Sequence, residues 1–401
     1  MTQTPWTGRT VLIAEPDMSG HHPDAALFLM QWFLGQGAKV VWGTFEDTKP
    51  PNELELTEIV TKIERVTLDR VARKIEKWGV TGNLFHRQYG WWWWYREMDK
   101  LAKQSHRIDL TIVAYANSMD KMAGILGSPF KKTPWACMSM RDSFHHQAMG
   151  LKTPRRKQDK PAEWLFKRTV RSRTLKAFLT LDPTLETWSH KNLGEAGKKV
   201  ITYPDIACPP SLPLNKQEAR AALGIADRPT ISLVGSIEPR KGVADALKAM
   251  EQLPEFQLLL AGRFIEECKE MIASAAAQKL ISEGQLICID RRISNDELQW
   301  AIEAADVIWA MYDGHYFPSN VLSQAAAYDR PLLGTDQGLI GDRVRAKNLG
   351  KVASVGDIQS QVQAIRDINI HAESYKDDLA AYATSQSAEA FSAVLSRAFG
   401  G

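Results

Sequence analysis

Short apolar runs alternate with amphipathic segments along the first half of the chain. Strands are predicted at Thr10 to Glu15, Lys39 to Gly43, Leu110 to Tyr115, Pro134 to Met140, Ala177 to Leu181 and Lys199 to Tyr203. Helices are predicted at Ala25 to Gly35, Thr57 to Trp78 and Trp91 to Ser105. Strands that alternate with helices in this way favour right-handed crossovers and a parallel sheet.

The second half repeats the pattern after a proline-rich stretch, Pro204 to Pro213, which we interpret as a linker between domains. Strands are predicted at Thr230 to Ser236, Gln257 to Ala261, Leu286 to Asp290, Val307 to Met311, Pro331 to Gly334 and Lys351 to Ala353. The predicted fold class is therefore α/β, with two doubly wound, Rossmann-like parallel-sheet domains. Ligands of such sheets bind beyond the carboxyl ends of the strands.

Length and composition agree with two ordinary domains. The chain has 401 residues, of which 44% are hydrophobic and 24% charged, and its formal net charge is +3. We see neither a secretory signal nor an apolar run of the roughly 18 residues that a membrane span needs. The four cysteines, Cys137, Cys208, Cys268 and Cys288, are far apart and show no metal-ligand spacing, so we expect reduced thiols and a cytoplasmic protein.

The most informative segment runs from Val234 to Val243, after the predicted strand that starts at Thr230. Gly235 allows a ligand to approach the backbone closely, and Arg240 and Lys241 place two cations at the mouth of the sheet. This arrangement favours a diphosphate site. The alternative is that both cations belong to a solvated turn.

This segment resembles the opening of the second domain of GT-B glycosyltransferases, in particular the retaining, glycogen-synthase-like family 4. The resemblance continues through Leu258 to Arg263, Ile289 to Leu298, Ala304 to Val307 and Pro318 to Gly341. It implies two domains, 1–208 on the acceptor side and 209–379 on the donor side, that face a central cleft. It also implies that 380–401 holds a helix, from Ala380 to Phe399, that returns to the first domain.

The resemblance implies that Arg240 and Lys241 stabilise the diphosphate that leaves when a sugar is transferred. Fixed cations can do this without a metal ion, and the chain contains no Asp-x-Asp. The residues expected to bind the donor are Gly235, Arg263, Arg292, His315, Tyr316, Ser319, Asn320 and Gln324. Ser319 and Asn320 open a predicted helix whose N–H groups favour a phosphate, although Ser319 also suits a plain N-cap.

The family has two glutamates spaced by seven residues near the end of this domain. Tyr316 and Gln324 occupy those positions here, and neither is acidic. Gln324 can still hydrogen-bond ribose hydroxyls, whereas Tyr316 cannot replace a carboxylate charge. The substitutions indicate either a divergent donor site or a protein that has lost its activity.

Two loops of the first domain carry candidate residues. Ser19, Gly20, His21 and His22 follow the first predicted strand, where the resembling fold has a loop beneath the donor phosphate and the acceptor. Arg141, Asp142, His145 and His146 follow a later strand, where a carboxylate and an imidazole could orient an acceptor or transfer a proton. We take His145 as the catalytic histidine and Arg141 and Asp142 as acceptor residues, although the sequence does not separate His145 from the earlier pair.

Two further features bear on partners. Ten basic residues against two acids lie between Lys152 and Lys176, which is typical either of a solvated surface or of attraction to an anionic membrane or a lipid-phosphate acceptor. Nucleic acid is not expected, because no recognition motif accompanies these bases. The run Trp91 to Trp94 cannot face one core on a helix, so one or two indoles should be exposed, for sugar stacking or a membrane interface, or else the helix is sandwiched between neighbours.

The sequence thus predicts a retaining, metal-independent glycosyltransferase of the hexosyltransferase class (EC 2.4). We expect a nucleotide-diphosphate sugar as co-substrate, no cofactor and no metal. The expected acceptor is a glycan or a lipid-linked glycan, which would place the protein in polysaccharide or glycoconjugate biosynthesis, in the cytoplasm or peripherally at the inner membrane face. Two rivals stay open: a non-catalytic GT-B protein that binds a nucleotide or glycan as a partner subunit, and an epimerase of the same fold.

Overall fold

The computed structural model describes residues 5–16, 22–46, 48, 63–68, 84–207 and 213–400. The chain divides into two compact units. The first contains Met1–Met149, Arg155–Tyr203 and Ser392–Gly401, and the second contains Gly150–Pro154 and Pro204–Phe391. The predicted linker, 204–213, is described only outside residues 208–212.

The first unit is built on a seven-stranded parallel sheet of order β3-β2-β1-β4-β5-β6-β7. Its strands are β1 (Thr10–Ala14), β2 (Lys39–Phe45), β3 (Glu64–Leu68), β4 (Leu110–Val113), β5 (Trp135–Ser139), β6 (Leu175–Thr180) and β7 (Val200–Thr202). Its described helices are α1 (His22–Gly35), α2 (Leu84–Ser105), α3 (Asp120–Leu126), α4 (Asp159–Val170) and α5 (Pro183–Leu193).

The second unit is built on a six-stranded parallel sheet of order β10-β9-β8-β11-β12-β13. Its strands are β8 (Thr230–Val234), β9 (Gln257–Gly262), β10 (Leu286–Asp290), β11 (Val307–Ala310), β12 (Leu332–Thr335) and β13 (Gly350–Ala353). The helices from here on are α6 (Lys216–Ala222), α7 (Val243–Met250), α8 (Glu266–Ile272), α9 (Ala275–Ser282), α10 (Asn295–Glu303), α11 (Val321–Ala327), α12 (Gly338–Ala346), α13 (Ile358–Ile370), α14 (Lys376–Ser385) and α15 (Ala388–Phe399).

The central strands of the second sheet are buried on both faces. Every residue of β8, β9, β11 and β12 is buried, which explains why these strands read as continuous apolar runs. Helices cover both sides of such a sheet, so its polar chemistry is confined to the loops at the strand ends.

In both parallel sheets the order in which successive strands are added reverses at an equivalent place. The strand order turns between β1 and β4 in the first sheet and between β8 and β11 in the second. Loops that leave neighbouring strands in opposite directions open a crevice at the carboxyl edge, where ligands of doubly wound sheets bind. The segment after β8 and the segment after β11 therefore border the expected binding position of the second unit.

Two sequence predictions about individual elements are wrong. The helical pattern from Thr57 to Trp78 contains β3, an edge strand of which the first residues are exposed, and the rest of that range lies outside the described residues. The single helix predicted at Ala380 to Phe399 is two helices, α14 and α15. Ser387 separates them, and its hydroxyl accepts a hydrogen bond from the Ala390 amide at the start of α15.

Within the C-terminal segment, Ser392–Gly401 belongs to the first unit, whereas residues 380–391 belong to the second. The indole of Trp6 donates a 3.0 Å hydrogen bond to the Phe399 carbonyl, and the Phe399 ring lies 5.5 Å from that of Phe33. Aromatic packing of this kind fixes the end of α15 against α1. The two Rossmann-like sheets and the returning helix confirm the predicted fold class. None of the described helices combines the length and apolar character required to cross a bilayer.

Candidate functional site

Lys241 is the central residue of the candidate site in the second unit. It lies in a short 3-10 turn, Pro239–Lys241, between β8 and α7, and it is buried. Its Nζ donates a 2.7 Å hydrogen bond to the carbonyl of Val234, the last residue of β8. Among the described residues, no carboxylate forms an ion pair with this ammonium group. The sequence thus placed a cation at the strand end, and the nearest acid that acts on it, Glu238, forms its ion pair with Arg240 instead.

The environment of Lys241 makes its charged form energetically unfavourable. Burial, with a smaller contribution from the neighbouring Arg240, lowers the pKa of Lys241 to about 8. The nearby Glu238 offsets only part of this effect, and a desolvated cation that forms no ion pair gains free energy when an anion binds beside it. The group is therefore suited to a phosphate ligand.

Arg240 and Tyr312 flank this lysine. Arg240 is exposed, and its Nε donates a 2.6 Å hydrogen bond to Glu238. The buried ring of Tyr312, which follows β11, has its centre 5.7 Å from the Lys241 Nζ and 6.0 Å from the Arg240 guanidinium carbon. The sequence analysis missed Tyr312, because nothing in its local pattern distinguishes it from a core residue at the end of a strand.

Two glycines allow this close packing. Gly242 has φ +76°, and a Cβ there would lie 2.5 Å from the Met311 carbonyl oxygen. Gly262 has φ +142°, and its Cβ would lie 1.9 Å from the Gly235 carbonyl oxygen. Any larger residue at either position would push the loops after β8, β9 and β11 apart.

His315 and Ser319 lie in the loop between β11 and α11. The Nε2 of His315 is 3.2 Å from the Pro318 carbonyl oxygen, and its ring is 5.7 Å from that of Tyr312, edge to face. The Ser319 hydroxyl hydrogen-bonds the Tyr312 hydroxyl. Both predicted donor residues therefore surround Tyr312, beside the lysine.

Asn320 has a structural contact of its own. Its amide nitrogen donates to Asp205 Oδ1 at 2.8 Å and to the Ile206 carbonyl at 2.9 Å, within the same unit. The side chain does not cap α11, which has only seven residues. In this structure Asn320 anchors the segment that follows the first unit, and its role as a donor ligand stays a prediction.

The two positions that replace the family's glutamates lie at different places. The carbonyl of Tyr316 accepts a hydrogen bond from the Leu339 amide, and its backbone packs closely against Gly338 at the start of α12. Gln324 lies on α11 and is half-buried. Arg263, after β9, and Arg292, after β10, are both exposed.

At the corresponding edge of the first unit, Asp142 is part of a polar network. Asp142 Oδ2 accepts a 2.6 Å hydrogen bond from the Ser139 hydroxyl, which in turn accepts one of 2.9 Å from the Asn117 amide. Burial, reinforced by the nearby Asp120, raises the pKa of Asp142 to about 7. Its neighbour Arg141 is exposed. These two predicted acceptor residues lie just beyond the end of β5.

His145 is deeply buried instead of open to a ligand. Its Nε2 lies 2.9 Å from Asp182 Oδ2 and 3.1 Å from the Thr184 hydroxyl, and the Nε2 of His146 lies 3.1 Å from the same carboxylate oxygen. The other oxygen of Asp182 accepts hydrogen bonds from the Thr184 amide and hydroxyl, which caps α5. The three side chains join the loop after β5 to the loop after β6.

Asp182 was missed in the sequence, although a signal exists. Asp182 precedes Pro183, and an Asp followed by Pro at the first helical position marks a helix start. The two histidines hold the pKa of Asp182 well below its usual range against the opposing effect of burial, and burial lowers the pKa of His145. The cluster thus consists of one carboxylate and histidines that each donate to it.

This cluster also has donor types that can bind a metal ion. The ligand atoms of His145, His146 and Asp182 lie within 4.8 Å of one another. A metal-bound histidine normally donates its other ring N–H to an acceptor. The Nδ1 of His145 is buried without a hydrogen-bond partner among the described residues. The geometry therefore favours direct hydrogen bonds to Asp182 as the function of the cluster.

Several predicted features lie elsewhere. Ser19, Gly20 and His21 are outside the described residues, and His22 begins α1 without a described side chain. In the tryptophan run, Trp92 and Trp94 are buried, whereas Trp93 is 36% exposed, as the helical spacing predicted. Of the cysteines, Cys137, Cys268 and Cys288 are free, and Cys208 lies outside the described residues.

Comparison with known proteins connects this geometry to a family. Residues 215–386 match the family model described as "Glycosyl transferases group 1". A comparison with curated proteins gives no match.

Solved structures resemble the chain along its length. Sucrose-phosphate synthase from Thermosynechococcus elongatus is 15% identical with a TM-score of 0.67, covering 97% of this chain and 98% of that one. Anabaena HepE in complex with UDP is 13% identical with a TM-score of 0.64, over 97% and 98% of the two chains. The catalytic domain of Arabidopsis thaliana starch synthase IV, bound to ADP and acarbose, is 13% identical with a TM-score of 0.61, over 98% and 99%. At these identities the likeness shows the fold. The chain therefore has the GT-B fold, and residues 215–386 match a glycosyltransferase group 1 domain.

Proposed function

We propose that this protein transfers a sugar from a nucleotide-diphosphate sugar to a glycan or a lipid-linked glycan. The observation that carries the proposal is the buried ammonium group of Lys241. It forms no ion pair with a carboxylate among the described residues, and it lies where the strand order of the second sheet reverses. Two of the similar structures contain UDP and ADP, which agrees with a nucleoside diphosphate at this position. The reaction is of the hexosyltransferase type.

The second unit supplies the cations that the donor needs. As the bond between the anomeric carbon and the diphosphate oxygen breaks, negative charge grows on the diphosphate. Lys241 Nζ can release the Val234 carbonyl and bind a phosphate oxygen instead, and exposed Arg240 can bind another. Preorganised cations of this kind stabilise a leaving group without a metal ion.

The proposed stereochemistry is retention, as the resemblance to family 4 implies. The acceptor oxygen attacks the anomeric carbon from the face that the diphosphate leaves, and its proton passes to a donor phosphate oxygen. One carbon–oxygen bond forms as another breaks, and no redox step is involved. In this scheme no side chain needs to act as the base, which is consistent with the burial of His145.

The first unit supplies the acceptor groups. Asp142 and exposed Arg141 follow β5, and the Ser139 hydroxyl fixes one carboxylate oxygen of Asp142. A carboxylate held in this way can accept a hydrogen bond from an acceptor hydroxyl through its other oxygen. His145 and His146 then act as positioning residues, because their bonds to Asp182 hold the loop that carries Asp142.

A second candidate is a non-catalytic protein that binds a nucleotide or glycan as a partner subunit. The observation that favours it is the replacement of both family glutamates, by Tyr316 and Gln324. Tyr316 contacts α12 through its backbone, and its phenol does not supply the negative charge of a carboxylate.

An assay with a panel of nucleotide sugars separates these candidates. Purified protein is incubated with UDP-, ADP- and GDP-sugars, with and without oligosaccharide acceptors, and nucleotide release and products are measured. A transferase releases the nucleoside diphosphate and extends the acceptor, and the anomeric configuration of the product tests retention. Saturable nucleotide binding without release would establish the binding protein. A product sugar, free or nucleotide-linked, whose configuration differs from that of the donor sugar and that is not attached to an acceptor would identify an epimerase.

A further inference from the structure

Three helices of the first unit expose large apolar side chains. Tyr89 and Trp93 on α2 are 40% and 36% exposed, Ile125 and Leu126 at the end of α3 are 39% and 49% exposed, and Trp164 on α4 is 54% exposed. Eight large hydrophobic side chains are exposed among the described residues, and these five are all on α2, α3 and α4. Such a concentration on neighbouring helices marks an interaction surface.

α3 is packed against both α2 and α4. The indole of Trp92 on α2 donates a 2.8 Å hydrogen bond to the carbonyl of Gly127, just after α3. Gly124 on α3 approaches α4 so closely that a Cβ there would lie 2.7 Å from the Leu165 carbonyl oxygen. In the sequence, Trp93 follows Trp92 and Trp164 precedes Leu165. The exposed residues 125 and 126 lie between the two glycines of these contacts. The exposed side chains therefore belong to adjacent helices of the first unit.

Basic residues surround the most exposed of these side chains. Lys160 and Arg168 lie four residues before and after Trp164, and Arg171 lies seven residues after it, so all of them share its helical face. All three bases are exposed, and the Arg168 guanidinium carbon lies 4.8 Å from the centre of the Trp164 ring. The exposed face of α4 therefore presents one indole ring surrounded by three positively charged side chains.

The acids of α4 do not neutralise this face. Asp159 is buried, and its carboxylate accepts a 2.8 Å hydrogen bond from the Arg156 amide. Glu163 forms its ion pair with Lys167 at 2.5 Å. Both acids are therefore paired with bases other than those around Trp164, and the positive charge of the exposed face is not cancelled within the helix.

We propose that the outer faces of α2, α3 and α4 dock the first unit onto the headgroup region of an anionic lipid bilayer. Tryptophan and tyrosine favour the membrane interface, where the ring is buried and the polar atom stays hydrated. Lysine and arginine beside them are attracted by anionic headgroups. The charge is what selects this occupant, because an apolar partner protein alone would gain nothing from the cations around Trp164.

This surface differs from the basic stretch seen in the sequence. Lys152, its first member, belongs to the second unit, where its Nζ lies 2.6 Å from Asp336. Within that basic stretch, only the bases of α4 and of its C-terminal end share a face with the exposed indole of Trp164. The proposal goes beyond sugar transfer and does not depend on it, since binding to vesicles requires no donor and no turnover.

Sedimentation of the full chain with lipid vesicles tests the proposal. Vesicles of phosphatidylcholine alone are compared with vesicles that also contain phosphatidylglycerol. The wild type should bind the anionic vesicles and bind the neutral ones at least about tenfold more weakly. Binding should weaken as salt rises, because the Debye length falls from about 10 Å at 0.1 M to about 3 Å at 1 M.

Matched variants assign the binding to this surface. The triple variant Lys160→Glu, Arg168→Glu, Arg171→Glu should lose binding to anionic vesicles by about tenfold or more. The control Lys191→Glu, Lys248→Glu, Lys347→Glu changes the net charge equally at exposed positions outside the surface, and it should bind like the wild type. Trp164→Ser should weaken the binding that persists at high salt. All variants alter exposed side chains, and circular dichroism checks their folding.

Three results would overturn the proposal. These are sedimentation with neither kind of vesicle, equal binding to neutral and anionic vesicles, and equal loss in the triple variant and its charge-matched control. If the wild type instead self-associates in light scattering, ignores vesicles and becomes monomeric with Trp164→Ser, the surface binds a second copy of this chain.

Discussion

The ligand-facing edges of the two sheets have equivalent topology but use their charged groups differently. In the second unit, the buried Lys241 donates to a backbone carbonyl and has no carboxylate partner among the described residues. In the first unit, the buried Asp182 receives two histidines and the N–H groups of α5. One edge holds a charge that is still available to a ligand, and the other holds a charge that the protein itself has satisfied.

This difference distinguishes a residue that can bind a ligand from a residue that stabilises the protein. A buried cation without an acid is unfavourable in the unliganded protein and gains when an anion arrives. A buried carboxylate with several donors contributes to stability and fixes its neighbours, but it has little left to offer a substrate. Position at the end of a strand is therefore insufficient to identify a catalytic residue, and the partners of its charge decide its role.

The largest expected effect on turnover is that of a substitution at Lys241. We expect Lys241→Ala to lower turnover by about 100-fold or more, because it removes one preorganised charge stabiliser. Steady-state kinetics with the donor found in the panel measures the change, and Lys248→Ala, an exposed lysine of α7, is the control. Turnover close to that of the wild type would remove Lys241 from the site and make the two edges equivalent.

The second prediction concerns stability at Asp182. Asp182→Ala should cost about 4 kcal/mol of unfolding free energy, because it removes a helix cap and leaves two buried histidine donors unpaired. Asp357→Ala, which removes the exposed cap of α13, should cost only about 1 kcal/mol. Urea denaturation compares the two variants. Equal losses would mean that the histidine contacts add nothing to the capping of α5.

The sequence predicted the second edge better than the first, for a physical reason. Gly235, Arg240 and Lys241 form a local segment that follows a continuous apolar strand, so spacing along the chain defines their position. The environment of His145 depends on Asp182, which is 37 residues away and becomes a neighbour only through the pairing of β5 with β6. Sequence patterns locate strands and their ends, whereas burial and long-range pairing follow from the fold.

The edge strand and the last helices illustrate the same limit. β3 pairs only with β2, at the side of the sheet, and its half-buried residues give no continuous apolar run. The break between α14 and α15 depends on the capping contact of Ser387. No glycine or proline lies near this break, so the sequence pattern does not indicate it. Fully buried central strands, by contrast, were all found within a few residues of their ends.

The third prediction is a pH dependence of nucleotide binding. The pKa of Lys241 is about 8 in the folded protein, below its ordinary value of 10.5, so its ammonium form is present below pH 8 and is lost as the pH rises. Because UDP binds the protonated form of Lys241, UDP affinity should fall by about fivefold between pH 8 and pH 9 and by nearly tenfold for each further pH unit. Calorimetric titration checks this. Lys241→Met should bind UDP more weakly and without that step, and an unchanged step in this variant would assign it to another group.

The smallest expected effect is that of a chelator. Donor turnover should be unchanged by EDTA, because Arg240 and Lys241 supply the positive charge that a metal ion would otherwise bring to the diphosphate. The comparison of the two edges makes this result informative, since the His145, His146 and Asp182 cluster has metal-binding donor types. Loss of turnover with EDTA, restored by manganese, would contradict metal independence. Repeating the titration with Asp182→Asn would then show whether the ion binds at the first edge, because only in that case would the variant need far more manganese for the same turnover.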